Sequence, residues 1–389
     1  MNYIYFILTF LIRLIIFLIP RNKNIWIFGA WYGTKYSDNP KFLYEFITCE
    51  SINIEAIWVC KEKSLHVKLK SEGVKSVYAY SLAGVYYHCR AGVAIINQSC
   101  KSDLLECLVS WNVKLVQLWH GTPLKKIGTD AIANVNGWRN TLRKLKVFLD
   151  VKYDLVTSTG NECSDKFKSA FSLTDNEVKV TGFPRNEVFR QNTIFNKDTL
   201  FKCIYMPTFR GQVGSEFTLL KESDLLRINS EIERQGIEIT LRPHPVNVMT
   251  EKYVNIVDTL SNIQISNCHD IYSEIGSYDC LITDFSSIYF DFLLSNKPIV
   301  FFPYEIENYK KNDRSLYYEY NDVTIAPYSN TWAQVLERLI EINKFGVDSE
   351  YSQKYNELRK QFHNNLPNHF SLNVVEEIYM LLGLQFRSK

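Results

Sequence analysis

Two short peptides, far apart in the chain, each carry one histidine at the end of an apolar run. They are Trp119-His120-Gly121-Thr122-Pro123 after Lys114–Leu118, and Leu241-Arg242-Pro243-His244-Pro245 after Ile237–Leu241. In an open α/β sheet, ligands bind at the carboxyl ends of the strands. Histidine is the side chain that takes or gives a proton near neutral pH. One histidine at a strand end in each half of the chain predicts a cleft with a titratable group on either wall, and therefore an enzyme.

Phosphoryl transfer needs positioning and charge neutralisation above all. The second half offers both. Thr283-Asp284-Phe285-Ser286-Ser287 follows a buried run and opens a predicted helix, where free N–H groups favour an anion. Ser286 and Ser287 add hydroxyl donors, and Ser286 also reads as an N-cap. Asp291 lies four residues after Ser287 on the same helix face, placed to accept bonds from ligand hydroxyls or to favour the helix dipole. Arg185 in Gly182-Phe183-Pro184-Arg185-Asn186, Arg210 in Pro207-Thr208-Phe209-Arg210-Gly211, and Arg242 each sit in a turn after a strand-like run. A guanidinium there can grip phosphate oxygens in a bidentate way. The remaining histidines, His66, His88, His269, His363 and His369, have no such setting. No H-E-x-x-H or similar ligand pair is present, so no catalytic metal is expected.

These residues must be held by regular elements. Strand-like runs appear at Asn24–Ala30, Ile54–Cys60, Ser76–Tyr80, Gly92–Asn97, Lys114–Trp119 and Leu155–Thr159. A second series runs through Val178–Thr181, Cys203–Pro207, Ile237–Leu241, Ile263–Ser266, Cys280–Thr283 and Pro298–Phe302. Helical stretches fall between several of them, among them Lys41–Glu50, Asn161–Phe171, Glu216–Gln235 and Thr331–Asn343. Alternation of this kind predicts parallel sheets, and two series predict two α/β domains. The expected boundaries are an N-terminal helix at 1–23, a first domain at 24–190, a second at 198–365 and a C-terminal helix at 366–389 that packs back on the first. Arg190–Lys197 reads as the linker.

The bulk numbers narrow the function classes. The 389 residues are 46% hydrophobic and 22% charged, with a net charge of +2. That balance gives no argument for nucleic acid. The nine cysteines show no C-x-x-C pair and read as reduced core residues of a cytosolic protein. P-loop and dinucleotide fingerprints are absent. Met1–Pro20 is nearly all apolar around Asn2, Thr9 and Arg13. It reads either as a membrane-contacting helix, shallow or interfacial because of Arg13, or as a buried first helix. Trp138, Leu142, Leu145 and Leu149 fall at helical spacing with Arg139, Arg143, Lys144 and Lys146 interleaved, a pattern suited to an anionic membrane surface or to an ordinary docked surface helix.

The chain resembles the CDP-glycerol glycerophosphotransferase family of teichoic-acid primases and polymerases and their capsule relatives, from about Asn24 to Tyr320. The resemblance rests on Phe28-Gly29-Ala30-Trp31-Tyr32-Gly33, His120-Gly121-Thr122-Pro123-Leu124-Lys125, Gly182–Asn186, Pro207–Arg210, Arg242-Pro243-His244-Pro245, and Thr283–Ser287 continuing to Asp291. It implies a GT-B-like fold of two Rossmann-type domains facing a central cleft, with the apolar helix in front. It implies a CDP-alditol donor, CDP-glycerol or CDP-ribitol, in the C-terminal domain, with no cofactor and no metal. It also implies a prenyl-diphosphate-linked acceptor met at the cytoplasmic face of the membrane. By resemblance, His120 looks like the base, and His120 and His244 are the expected catalytic residues. Trp119, Gly121, Thr122, Pro123, Arg185, Pro207, Thr208, Arg242, Pro243, His244, Ser286, Ser287 and Asp291 look like donor-site residues. The match departs at Arg314–Glu319 and at Pro327-Tyr328, where the family tends to show Arg-Gly and Pro-Gly. Those departures leave glycerol and ribitol both open. A GT-B glycosyltransferase and a non-catalytic membrane scaffold are the rival readings. Oligomeric state is left open.

Overall fold

Strands covered on both faces by helices must be apolar on both faces. Twelve short runs of that kind recur in the chain, and in the computed structural model each contains a strand. The structure describes residues 3–132, 152–190, 200–208, 216, 220–244, 247–303 and 316–386. Trp138–Leu149, Arg210, Pro245, most of the Arg190–Lys197 linker, and Arg314 with Ser315 lie outside the described residues.

The first unit comprises Met1–His120, Ile127–Glu187 and His363–Lys389. It holds β1 (Asn22–Phe28), β2 (Glu55–Cys60), β3 (Ser76–Tyr78), β4 (Ala91–Ile96), β5 (Lys114–Gln117), β6 (Leu155–Ser158) and β7 (Val178–Val180). They form one seven-stranded sheet in the order β3-β2-β1-β4-β5-β6-β7, and every pair is parallel. The second unit comprises Gly121–Lys126 and Val188–Phe362. Its strands β8 (Phe201–Met206), β9 (Ile237–Leu241), β10 (Ile263–Ile265), β11 (Cys280–Thr283) and β12 (Ile299–Phe301) form a parallel sheet in the order β10-β9-β8-β11-β12. Both are doubly wound orders, with a switch point between β1 and β4 in one and between β8 and β11 in the other.

Two details concern where the units meet the chain. The run at Val178 belongs to the first sheet, because Val178 pairs with Val156 of β6. The units divide after Glu187 and Phe362, and Gly121–Lys126 goes with the second. Helix Phe370–Leu381 is part of the first unit, its Val374, Val375 and Ile378 enclosed in one core cluster with Trp26 and Phe28. Gly182, with φ +71°, must be glycine there, since a Cβ would stand 2.4 Å from the Phe370 ring. The cysteines form no disulfide, and Cys49 is exposed rather than in a core.

Helix α1 (Tyr3–Phe17) is built inside out. Thr9, Arg13 and Ile16 are buried, while Ile4, Ile7, Leu8, Leu11, Ile15 and Leu18 are at least half exposed. The polar residues face the protein because they find partners there. Arg13 Nε donates to Glu106 O at 3.0 Å, and Ser110 Oγ donates to Arg13 O at 2.9 Å. Phe10 and Phe17 meet the edge of Trp111. Met1–Pro20 is not a buried first helix: Arg13 is a tether to the protein, and the apolar surface stays outside. No helix among the described residues is long and apolar enough to cross a membrane.

The segment that receives Arg13 is itself held by a buried histidine of helix Leu82–Arg90. His88 Nδ1 lies 2.7 Å from Gly84 O, and Leu105 N–H donates to His88 Nε2 at 3.1 Å. A ring that donates to a carbonyl and accepts from an amide is neutral. Burial is the main cause that pushes its pKa down to about 4. The unfolded chain takes up this proton near 6.5. Stability is therefore predicted to fall by roughly 3 kcal/mol as pH drops from about 6.5 towards 4, and to level off below. Urea unfolding of the wild type and of His88→Gln across this window measures it, and an equal loss in both would contradict the assignment.

Candidate functional site

In the first unit, the residues after β1, β4, β5 and β7 meet around one buried carboxylate. Asp38 opens α2 (Asp38–Cys49) in a left-handed conformation, φ 67°. Its Oδ1 accepts from Arg185 Nη1 at 2.7 Å, and both side chains are only 5% exposed. Its Oδ2 accepts from Trp31 Nε1 and from Asn97 Nδ2, each at 3.0 Å. Asn39, fully buried, donates to Leu118 O at 3.1 Å and Trp119 O at 2.9 Å, and accepts from Arg185 N at 3.1 Å. The loop that carries His120 is thus fixed from the start of α2.

His120 itself is partly exposed, its ring stacked on Trp119 at 4.5 Å and tilted against Trp31 at 5.9 Å. Its Nδ1 lies 2.8 Å from Asn97 O. A carbonyl can only accept, so Nδ1 carries the proton and Nε2 keeps its lone pair. Burial is the largest influence on its pKa and lowers it. The Asn97 bond and the Asp38 charge oppose that, while the Arg185 charge adds to it. Trp31, Tyr32, Asp38 and Trp119, all in these loops, have φ between 45° and 67°. Such backbone costs on the order of 1 kcal/mol per residue and persists where the surroundings over-determine it.

A second carboxylate joins the switch strands. Asp103 accepts from Tyr32 N after β1 at 3.0 Å, and from Asn97 N and Gln98 N after β4 at 3.2 and 2.7 Å. Burial raises its pKa, although these bonds pull it down.

The second unit repeats the device. Asp284 Oδ1 after β11 accepts from Thr208 N at 2.7 Å and Thr208 Oγ1 at 2.6 Å after β8, and from Phe285 N at 2.6 Å. Arg242 leaves β9 with Nη1 bonded to Ser266 Oγ at 2.8 Å and Cys268 O at 2.7 Å. His244 is exposed. Ser286 and Ser287 are half-buried, and the N-cap position of helix Ile288–Phe292 falls on Ser287, not Ser286, with no side-chain cap bond. Capping therefore does not account for the pair. Asp291 is fully buried and accepts from Tyr272 OH at 2.6 Å. Tyr328, where the chain departs from the expected family pattern, contacts Tyr320, whose OH donates to Asp284 O at 3.1 Å.

The structure thus sorts the residues singled out in the sequence. Trp119, His120 and Arg185 belong to the first unit. Gly121, Thr122, Pro123, Pro207, Thr208, Arg242, Pro243, His244, Ser286, Ser287 and Asp291 belong to the second. Within the first unit Arg185 is ion-paired with Asp38. Asp38, Asn39, Asn97 and Asp103 were missed. Their signals were present but local: Asp-Asn-Pro opening a helix, and an asparagine closing the buried run Gly92–Asn97. Among the described residues no group of three His, Cys, Asp or Glu side chains is placed to hold a metal ion.

Two doubly wound parallel units of this kind make up the GT-B fold. The calicheamicin glycosyltransferase CalG4 shares that fold, with a TM-score of 0.53 at 10% identity over 93% of this chain and 99% of the other. Residues 11–380 match the sequence pattern of the CDP-glycerol:poly(glycerophosphate) glycerophosphotransferases, and the chain belongs to that family of enzymes. A teichoic acid glycerol-phosphate transferase of Staphylococcus aureus is 27% identical over 370 residues, 88% of each chain. A teichoic acid poly(glycerol phosphate) polymerase of Bacillus spizizenii is 26% identical over 368 residues, 88% of this chain and 90% of that one. The wall teichoic acid polymerase TagF has the same fold, with a TM-score of 0.71 at 22% identity over 92% of this chain and 89% of the other.

Asp284→Ala leaves one buried and one part-buried N–H group and a hydroxyl without their acceptor. It is predicted to destabilise the second unit by about 2 kcal/mol or more, and Thr208→Val by about 1. Urea midpoints read both, and a neutral Asp284→Ala would show that the turn does not depend on this carboxylate.

Proposed function

We propose that the chain transfers glycerol phosphate from CDP-glycerol to a hydroxyl of a prenyl-diphosphate-linked saccharide, in the synthesis of a teichoic-acid or capsule-type polymer. Family membership supports the donor, and the setting of His120 carries the mechanism. Its Nδ1 proton is committed to Asn97 O, so Nε2 is the atom that takes the acceptor's proton. The acceptor oxygen attacks the β-phosphorus, the bond from that phosphorus to the bridging oxygen breaks, and CMP leaves. Arg242, His244, Ser286 and Ser287 neutralise the diphosphate in this scheme, with Pro207, Thr208, Pro243 and the Gly121-Thr122-Pro123 turn shaping the donor site. No step is routed through a metal.

A ribitol reading has its own support. A teichoic acid poly(ribitol-phosphate) polymerase of Bacillus spizizenii is 24% identical over 348 residues, 85% of this chain and 53% of that one. Incubating a synthetic lipid-diphosphate acceptor with CDP-glycerol and CDP-ribitol in parallel, with mass spectrometry of the product, separates the two.

His120→Ala is expected to lower turnover by about 10² to 10⁴, the usual worth of a general base. In the wild type, the acidic limb of kcat/KM is expected below the ordinary imidazole value, since burial disfavours the charged ring. A His120→Ala enzyme as fast as wild type removes the base assignment.

The same proposal places the enzyme at the cytoplasmic face of the membrane as a peripheral or monotopic protein. What supports it is the outward apolar surface of α1, tethered by Arg13. An exposed apolar surface of this kind marks a membrane or protein interaction site. Deleting residues 2–20 is expected to reduce flotation with anionic liposomes and to slow transfer to a long-chain lipid acceptor more than to a short soluble one. A truncated protein that floats as well as the full chain overturns the membrane role of α1.

A further inference from the structure

The partner of His120 Nδ1 is a backbone carbonyl, and the nearest buried charges stand one step behind it. Asn97, which supplies that carbonyl, is held at three atoms. Its N–H donates to Asp103, its Oδ1 accepts from Trp31 N at 3.1 Å, and its Nδ2 donates to Asp38 at 3.0 Å. Asp38 also fixes the Trp31 indole that lies against the imidazole. Its charge is balanced by Arg185, which arrives from the turn after β7.

We propose that the buried Asp38–Arg185 ion pair positions His120 as the proton acceptor, Asp38 by holding Asn97 and Trp31, with the two opposite charges setting the ring's charge state between them. This rests on the reading of His120 as the base. It gives Arg185 a task on the acceptor side of the reaction instead of the donor grip expected from the sequence.

The electrostatics follow from the placement. A carboxylate near the ring favours the imidazolium that forms when the proton arrives, and a guanidinium disfavours it. Asp38 and Arg185 act on His120 in those opposite senses. Of the other charges on the surrounding elements, Asp103 is bonded to Asn97 N and Lys35 lies 5.6 Å from the Trp31 ring, while Lys41 lies over the Tyr36 and Phe42 rings, Glu45 accepts from Tyr36 OH and Glu187 accepts from Phe370 N. Trp119 and Asn97 are neutral. The pair lets a base that is neutral at rest still accept a proton, and the carbonyl partner keeps Nε2, not Nδ1, as the accepting atom.

The test uses the full chain with CDP-glycerol and a lipid-diphosphate acceptor. Asp38→Asn is expected to lower kcat about 10- to 100-fold, the cost of small misplacements of a catalytic group. KM for CDP-glycerol should hold, and the acidic limb of kcat/KM should move to lower pH. Arg185→Gln should move that limb to higher pH. Each single change strands a buried charge, so the neutral pair Asp38→Asn with Arg185→Gln is measured beside them. It should fold, keep its KM for CDP-glycerol, and retain the low kcat of Asp38→Asn. Nitrogen-15 NMR of the wild-type histidines should show His120 as the Nδ1–H tautomer. Limbs that stay fixed or move the same way in both single variants overturn the proposal, as does an Nε2–H tautomer or wild-type kcat in the neutral pair. A raised KM for CDP-glycerol in Arg185→Gln with no limb shift returns Arg185 to the donor. Full activity in His120→Ala is a separate outcome that refutes the base itself.

Discussion

A buried carboxylate demands donors, and at the carboxyl edge of the first sheet one carboxylate recruits them from four places. Asp38 is almost out of water, so an unpaired charge there would cost several kcal/mol. It is satisfied by an arginine after β7, an asparagine after β4, an indole after β1 and the next backbone N–H. Those bonds bring the loops after three strands to one point, and Asn39 adds the loop after β5. The left-handed residues in these loops are tolerated because so many bonds fix them. The result is one imidazole with a single orientation.

The two units solve the same problem in the same way. A doubly wound sheet leaves a gap at its switch point, where neighbouring loops diverge to opposite faces. Asp103 spans the gap between the loops after β1 and β4, and Asp284 spans that between the loops after β8 and β11. Each accepts backbone N–H groups from both sides. A carboxylate suits this because it accepts several bonds and donates none when ionised. Loops tied in this way are rigid enough to present His120 in one unit and the Thr208 turn in the other.

Helix α1 follows a related logic at the surface. An apolar helix that packed its apolar face inward would leave Arg13 and Thr9 in solvent and gain hydrophobic burial. Here Arg13 binds Glu106 O, Asn112 caps the last carbonyls through Phe17 O and Ile19 O, and Trp111 covers two phenylalanines. The polar contacts fix the helix's rotation, and that rotation leaves the apolar surface outside. An outward surface of this kind is a feature that exposed apolar patches in general call on a partner to explain.

Much of this architecture is written in local pattern. Short apolar runs separated by helical stretches determine parallel α/β units, because only buried strands need such runs. The histidines, the serine pair and the glycine- and proline-bearing turns stand at strand ends, so they too were legible, and so was the family they resemble. What the chain alone could not assign is partnership across long separations. The turn of Arg185 looks like those of Arg210 and Arg242, and nothing local to it names Asp38, 147 positions away, as its ion-pair partner. Asn97 read only as the end of the run Gly92–Asn97, and Asp38 and Asp103 drew no reading, since nothing local tells a buried carboxylate from a solvated one. The direction in which Arg13 points was equally hidden, because an apolar helix has no periodicity to orient it. Sequence fixes which residues are able to do chemistry; tertiary structure decides which charges are buried together, and so which of them hold the histidine in place.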